Sequence, residues 1–233
     1  MTGAYAVYGL TGFGSTVVAL PLLAQLLPLR FAVPMMMLLD LTAFTLFGAR
    51  FRRRIRYSEA AWLVPFMLAG MALGLTLLIA LPEQGLLAAL GAFVLAYSAY
   101  GLARRGTPLQ LARAWSVPIG LAGGALSALF GTGGVLYAIY NSGRIRDKAE
   151  LRATNAATIM LSSVVRAVLF GATGLLSQDG LIGFALMLVP ALLGGFAIGN
   201  RLHTAVPAVA VVRILYVLLV VSGISLLARA AAG

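Results

Sequence analysis

Cysteine is absent from this 233-residue chain, and histidine occurs once, as His203. Without cysteine the chain can form no disulfide, no thiol redox centre and no thiolate metal site. A single histidine also excludes a histidine metal cluster. Charged residues are scarce, at 10% of the chain, and only 6 of them are acidic. We therefore expect no metal and no cofactor. An embedded enzyme is disfavoured because no acidic pair and no nucleophile with a plausible base is apparent.

Hydrophobic residues, in contrast, make up 61% of the chain, and the mean hydropathy is +1.01. Apolar runs of about 20 residues have the length that a bilayer-spanning helix needs. Such runs cover roughly 4–27, 31–49, 59–81, 84–103, 115–141, 152–172, 180–200 and 208–228. The composition thus predicts an all-α integral membrane protein, with the lipid bilayer as its surroundings.

The formal charge of +11 would indicate nucleic acid binding in a soluble chain. Here nearly all arginines lie in loops that flank the apolar runs, where positive charge favours the cytoplasmic side. No nucleic acid partner is therefore predicted. Aromatic residues near the segment ends are predicted to anchor the chain at the membrane interface. They are Tyr5, Tyr57, Trp62 and Trp115.

Two of the apolar segments contain a dense group of glycines with hydroxyl side chains beside them. The groups are Gly12, Gly14, Ser15 and Thr16 in the first segment, and Gly131, Thr132, Gly133 and Gly134 in the fifth. Each glycine costs about 1 kcal/mol in a helix relative to alanine, so both helices are expected to break within the membrane. Backbone groups freed at that depth require a polar cavity or a ligand.

These two glycine-rich breaks are candidate substrate sites. A half-helix that starts after a break presents unpaired N–H groups and the positive end of its dipole, which favours an anion. The hydroxyl groups of Ser15, Thr16 and Thr132 add donors. The alternative is that the glycines only allow close helix packing, which is our interpretation of the GxxxG pairs at Gly70 and Gly195.

The chain also contains an internal duplication. At one offset Gly70 aligns with Gly195 and Gly74 with Gly199, and the same offset aligns Pro82 with Pro207 and Arg104 with Arg229. A series of matches predicts homologous repeats. We assign repeat 1 to residues 1–104, a cytoplasmic linker to 105–114 and repeat 2 to 115–233. Each repeat contains one broken segment and three spans.

The arginines then indicate the topology. If each broken segment enters and leaves on one face, the arginine-rich loops share the cytoplasmic side and the loops without Arg or Lys lie outside. The first set is 50–57, 104–113, 142–152 and 201–207, and the second is 82–84 and 174–179. Each repeat crosses three times, so the repeats are inverted, as in transporters with a site near the midplane. The alternative is eight full spans in parallel repeats.

A polar stripe follows the charged loop at 142–152. Asn155, Thr158, Ser162 and Arg166 are spaced to share one helical face. Arginine facing lipid would cost about 2.5 to 3.5 kcal/mol on insertion scales, so this face should meet protein or water. The repeat alignment matches Ser162 with Asp40, the only acidic residue deep within a span, and predicts that Asp40 approaches Arg166.

This stripe extends the set of candidate substrate-binding residues. Arg166 is its candidate anion ligand, and Asp40 is the candidate carrier of a coupled proton. A structural ion pair is the alternative for both.

The residues from Gly12 to Pro21, their second copy at 131–134, and the sequence Arg-Ala-Thr-Asn-Ala-Ala-Thr at 152–158 resemble the TauE/SafE family of sulfite exporters. The resemblance covers essentially the whole chain. It implies export of a small sulfur-containing anion, sulfite or a small organosulfonate. Together with the repeats, it predicts a transporter that works by alternating access. A passive small-anion channel is the alternative.

Overall fold

A computed structural model describes residues 2–11, 15–47, 55–103, 110–202 and 208–232. In these ranges the regular structure is entirely helical, which confirms the predicted all-α class. The α-helices are α1 (Thr2–Thr11), α2 (Ser15–Leu23), α3 (Leu29–Phe47), α4 (Tyr57–Ala80), α5 (Glu83–Ala103), α6 (Ser116–Phe130), α7 (Gly134–Arg144), α8 (Lys148–Ala172), α9 (Leu181–Leu202) and α10 (Ala208–Ala232). Gly12, Gly14, His203 and parts of the predicted loops 50–57, 104–113 and 201–207 lie outside the described residues.

Five of the described helices are long and apolar enough to cross a membrane. These candidate spans are Leu29–Leu46, Tyr57–Ala80, Glu83–Ala103, Ala149–Ala172 and Leu181–Gly199. Local chemistry marks their ends: Pro82 separates α4 from α5, and the side chain of Asp147 caps α8 by accepting from the N–H groups of Ala149 and Glu150. The described part of the chain is thus a multi-span helical bundle.

The fifth apolar segment breaks at its glycines, as predicted. α6 has 15 residues and α7 has 11, so at 1.5 Å per residue they extend roughly 22 and 16 Å. Neither reaches across a hydrocarbon core about 30 Å thick. Gly131 ends α6 in the left-handed region, with φ of 70°. In the first segment α1 and α2 are shorter still, at 10 and 9 residues.

α6 and α7 fold back on each other. The N–H of Leu111, just before α6, donates to the carbonyl of Gly143 in the last turn of α7 at 3.2 Å. Arg144 Nη1 donates back to the Leu111 carbonyl, also at 3.2 Å. The start of α6 and the end of α7 therefore lie at the same end of the bundle.

That end, which we call the Glu59 end, brings the predicted cytoplasmic loops together. Glu59 at the start of α4 pairs with Arg113 and Arg144, and Arg56 lies 3.8 Å from Glu150 at the start of α8. Segments 55–57, 110–113 and 142–152 therefore lie together at one end of the bundle.

The opposite end, which we call the Arg30 end, is where the start of α3 meets the end of α4. The Arg30 guanidinium donates to the carbonyls of Leu78, Ile79 and Leu81 at the end of α4. Gln178 donates to the Arg30 carbonyl at 2.9 Å. The turns at 82–84 and 174–179 thus lie together, away from the Glu59 end.

Glycines set the closest helix contacts. Gly70 and Gly74 of α4 lie against the backbone of α6, and Gly195 and Gly199 of α9 lie against the backbone of α1. A methyl group at any of these positions would meet a backbone carbonyl, at Leu121, Ala125, Thr2 and Ala6 respectively. The packing interpretation of these glycines is confirmed. α4 packs on α6 as α9 packs on α1, so helices that the duplication equates make equivalent contacts.

The aromatic anchors divide into two groups. Tyr57, Trp62 and Trp115 are 69%, 50% and 51% exposed, which suits an interfacial position. The prediction for Tyr5 is wrong, because its side chain is fully buried and its hydroxyl donates to Asp40 at 3.3 Å. α1 packs along α9 and directs Tyr5 into the bundle.

Candidate functional site

A small cavity lies where the two glycine-broken regions meet. Its volume is about 30 Å³, which is room for about two water molecules. Polar and apolar side chains share its wall: Ser15, Thr16, Val17, Asp40, Phe44, Ser127, Gly131, Thr132, Gly134, Val135, Ile159, Ser162, Ser163 and Arg166. The cavity thus joins α2 and α3 to α6, α7 and α8.

Most of the candidate site residues line this cavity, and the others do not. Those that line it are Ser15, Thr16, Asp40, Gly131, Thr132, Gly134, Ser162 and Arg166. Gly133, Asn155 and Thr158 are not part of its wall. Gly12 and Gly14 lie outside the described residues. The structure therefore brings Ser15 and Thr16 together with the second break and the Arg166 half of the stripe.

Arg166 carries the positive charge of the cavity. Its side chain is 3% exposed, and its hydrogen bonds are long: Nη1 to the Ser127 carbonyl at 3.3 Å and Nη2 to Ser163 Oγ at 3.4 Å. Typical N–H···O distances are about 2.9 to 3.0 Å. The buried Nε has no hydrogen-bond partner among the described residues. Much of the donor capacity of this guanidinium is therefore available.

Asp40 also lines the cavity and binds hydroxyl groups from the two helices of the first segment. Its carboxylate accepts from Thr16 Oγ1 at 2.6 Å and Ser15 Oγ at 2.9 Å, as well as from Tyr5. All three hydroxyl groups belong to α1 or α2. Arg166 Nη2 lies 4.0 Å from Asp40 Oδ2, so the approach predicted from the repeat alignment is present.

The two halves use equivalent positions for equivalent contacts. Ser162, which the duplication matches with Asp40, shares a hydrogen bond with Ser127 of α6. One turn further along each helix, Phe44 and Arg166 both line the cavity. α3 and α8 therefore each bind the broken segment of their own half. The two helices differ in charge, because the acidic residue Asp40 lies on α3 and the cationic residue Arg166 lies on α8.

Two glycines of the second break have different roles. A Cβ at Gly131 would lie 2.6 Å from Arg166 Nη1 and 2.9 Å from Thr16 Cγ2, so Gly131 allows the guanidinium to approach the backbone. Gly133 has φ of −58° and packs against Gly123 and Ser127 of α6. Gly133 therefore makes a helix contact and is not part of the cavity wall.

The first half of the polar stripe contacts protein rather than the cavity. Asn155 Oδ1 accepts from Asn141 Nδ2 of α7 at 2.7 Å. Thr158 Oγ1 donates to the Thr154 carbonyl of its own helix at 2.9 Å. The stripe faces inward as predicted, but α7 covers this part of α8.

Several polar residues at the cavity and at the Glu59 end were not predicted from the sequence. Ser127 and Ser163 line the cavity, and both are buried serines in apolar segments, a signal that was available. Glu59 is 5% exposed and forms a cluster at its end of the bundle. Arg144 Nη2, Tyr140 Oη and Arg113 Nη2 donate to its carboxylate at 2.9, 3.0 and 3.2 Å.

The chain is similar to known transport proteins. Residues 1–226 match the family described as "Sulfite exporter TauE/SafE". A relative from Comamonas testosteroni, "Probable inner membrane transporter protein TsaS", is 32% identical over 197 residues, which cover 82% of this chain and 81% of the relative. No solved structure matches the chain.

Proposed function

The chain belongs to the TauE/SafE family of sulfite exporters, and from this premise we propose that it exports sulfite or a small organosulfonate across the bacterial inner membrane. Its similarity to a probable inner membrane transporter supports that location. The observation that carries the anion assignment is the Arg166 guanidinium, buried at the cavity with an unpartnered Nε. The protein moves its substrate and does not convert it.

The cavity offers an oxyanion several complementary donors. The planar fork of Arg166 can hold two oxygens at once. The Thr132 hydroxyl and the N-terminus of α7 at Gly134 lie on the same wall and add donors and a favourable dipole. A volume of about 30 Å³ suits water better than a four-atom anion, so substrate binding requires the wall to move. We assign this arrangement to a contracted state of the site.

The transport mechanism that we propose is alternating access between two inverted repeats, 1–104 and 115–233, joined by the linker 105–114. The α6–α7 hairpin begins and ends at the Glu59 end, which supports a re-entrant segment. α1 runs parallel to α9, with Thr2 beside Gly195 and Ala6 beside Gly199, and α2 returns toward the Arg30 end. The two hairpins would thus enter from opposite faces and meet at the cavity.

This topology predicts which introduced cysteines react together. Because the chain has no cysteine of its own, single substitutions can be labelled without background. Ser58→Cys and Arg146→Cys should be protected from an impermeant thiol reagent added outside, and should react after the cytoplasmic face is opened. Gln84→Cys and Ser177→Cys should react from outside. Labelling of Ser58→Cys and Arg146→Cys from different sides would contradict the inverted arrangement.

Asp40 is the proposed carrier of a coupled proton. It is the acidic residue of the cavity wall, and the groups that face it are the Tyr5, Ser15 and Thr16 hydroxyls and Arg166. A proton on Asp40 would remove the negative charge that repels an entering anion. Coupling would appear as anion flux driven by an imposed pH gradient, and Asp40→Asn should abolish that drive.

A flux screen in proteoliposomes tests the proposed function. Sulfite, thiosulfate, sulfate and small alkyl sulfonates are offered singly, with protein-free liposomes as the control. We expect saturable flux for sulfite or a small sulfonate, and exchange between labelled and unlabelled substrate. Flux that rises linearly with concentration and shows no exchange would identify a passive channel. No flux of any of these anions would overturn the proposed function.

A further inference from the structure

We propose that Asp40 is an internal counter-anion, which neutralises Arg166 in the empty transporter and is displaced from it by the transported anion. This inference rests on the proposed function and assigns a task to the site without its substrate. An empty carrier must return before it can move the next anion. During that return the buried guanidinium needs a counter-charge.

The charges of the cavity make such a partner necessary. Asp40 and Arg166 are 7% and 2% exposed, and Asp40 supplies the one ion pair to Arg166 among the described residues. The other groups that bind the guanidinium, the Ser127 carbonyl and Ser163 Oγ, are neutral. A buried charge left without a partner is strongly unfavourable, so the empty site depends on Asp40.

The geometry of the pair suits displacement. Arg166 Nη2 and Asp40 Oδ2 are 4.0 Å apart, whereas Thr16 and Ser15 bind the same carboxylate at 2.6 and 2.9 Å. Asp40 therefore remains hydrogen-bonded if Arg166 leaves it. Arg166 has an unpartnered Nε and can bind an incoming oxyanion in the bidentate manner that Asp40 does not achieve here.

The pair also connects the two halves of the chain. Asp40 lies on α3 and Arg166 on α8, at positions that are one turn apart in the repeat alignment. Asp40 is hydrogen-bonded to α1 and α2 of the first half, and Arg166 is hydrogen-bonded to Ser127 of α6 in the second half. Pairing of Asp40 with Arg166 therefore joins the halves when no anion does so.

A comparison of net efflux with exchange tests this role. Net efflux into substrate-free medium requires return of the empty carrier, and exchange with substrate on both sides does not. In Asp40→Asn, net sulfite efflux should fall at least about tenfold more than exchange, because the empty site then holds an unpaired guanidinium. Tyr5→Phe removes one hydroxyl from the same carboxylate but keeps its charge, so the ratio of the two rates should stay at the wild-type value.

If the ratio of net efflux to exchange in Asp40→Asn stays at the wild-type value, whether or not both rates fall, the counter-anion role is overturned. If Asp40→Asn does not assemble, infrared spectra of wild-type protein with ¹³C-labelled aspartate give an independent test. Asp40, Asp147 and Asp179 are the aspartates of the chain, and added sulfite should shift a carboxylate band. No shift would contradict displacement. Wild-type protein without any flux would instead overturn the proposed function.

Discussion

Arg166→Ala should abolish transport of the sulfur anion, and Arg166→Lys should impair it by roughly 10- to 100-fold. Hydrogen bonds to a charged group contribute about 1.5 to 3 kcal/mol each, and lysine keeps the charge but loses the planar fork that holds two oxygens. The guanidinium is buried at the cavity, and its hydrogen bonds to the described part of the chain are long. Initial rates of sulfite flux in proteoliposomes, at equal protein incorporation, measure the effect.

A purely structural role for Arg166 gives a different result. Removing one member of a buried pair costs about 3 to 5 kcal/mol because the other charge is left uncompensated. The double variant Asp40→Asn with Arg166→Gln should then regain stability. Thermal melts with and without sulfite separate the two roles. If Arg166→Ala melts lower but keeps the wild-type stabilisation by sulfite, Arg166 belongs to the scaffold.

Arg144 provides the matched control. It is an arginine that pairs with a buried acid, Glu59, at 2.9 Å, but it is not part of the cavity wall. Arg144→Lys should lower the melting temperature because it loses one of two hydrogen bonds to the Glu59 carboxylate. Its stabilisation by sulfite should remain that of the wild type.

The features that could be predicted from the sequence are those with local or periodic signals. The helix break at 131–134 could be predicted because glycine destabilises a helix at its own position. The close packing at Gly70 and Gly195 could be predicted because glycines four residues apart lie on one face of a helix. The duplication supplied a register between α3 and α8, so Asp40 could be matched with the stripe of Arg166 without knowledge of tertiary structure.

The features that were not predicted depend on which helices pack against each other in the folded protein. Tyr5 lies near a chain end, but α1 is a half-helix packed on α9, so the residue reaches the centre of the bundle. Asn155 and Thr158 share a helical face with Arg166, and periodicity cannot show that α7 covers only part of that face. Glu59 lies close to a predicted segment end, where an acid would be solvated unless two arginines from later loops met it.

The sequence also could not show which glycine of the second break adopts the left-handed conformation. Gly131, Gly133 and Gly134 are equally able to adopt positive φ, and the choice depends on where α6 ends. Gly131 is the one that does so, with φ of 70°, whereas Gly133 stays right-handed. We therefore propose that Gly131, which ends α6 and lies against Arg166, is the glycine of this break on which anion binding depends.

Gly131→Ala should consequently destabilise the protein and eliminate transport. An L-residue in the left-handed region costs about 1 to 2 kcal/mol. The new Cβ would also lie 2.6 Å from Arg166 Nη1 and 2.9 Å from Thr16 Cγ2, so the guanidinium and α2 must move. Melting temperature and sulfite flux measure the two effects separately.

Gly174 separates backbone strain from displacement of Arg166. It has φ of 74°, close to that of Gly131, but a Cβ there would meet nothing within 4 Å. Gly174→Ala should therefore show the strain alone, with a lower melting temperature and normal sulfite flux. Flux that is lost in Gly131→Ala and kept in Gly174→Ala would assign the loss to the displaced guanidinium. If both variants melt lower by the same amount and both transport sulfite normally, Gly131 only ends α6, and the anion does not depend on the position that Arg166 occupies here.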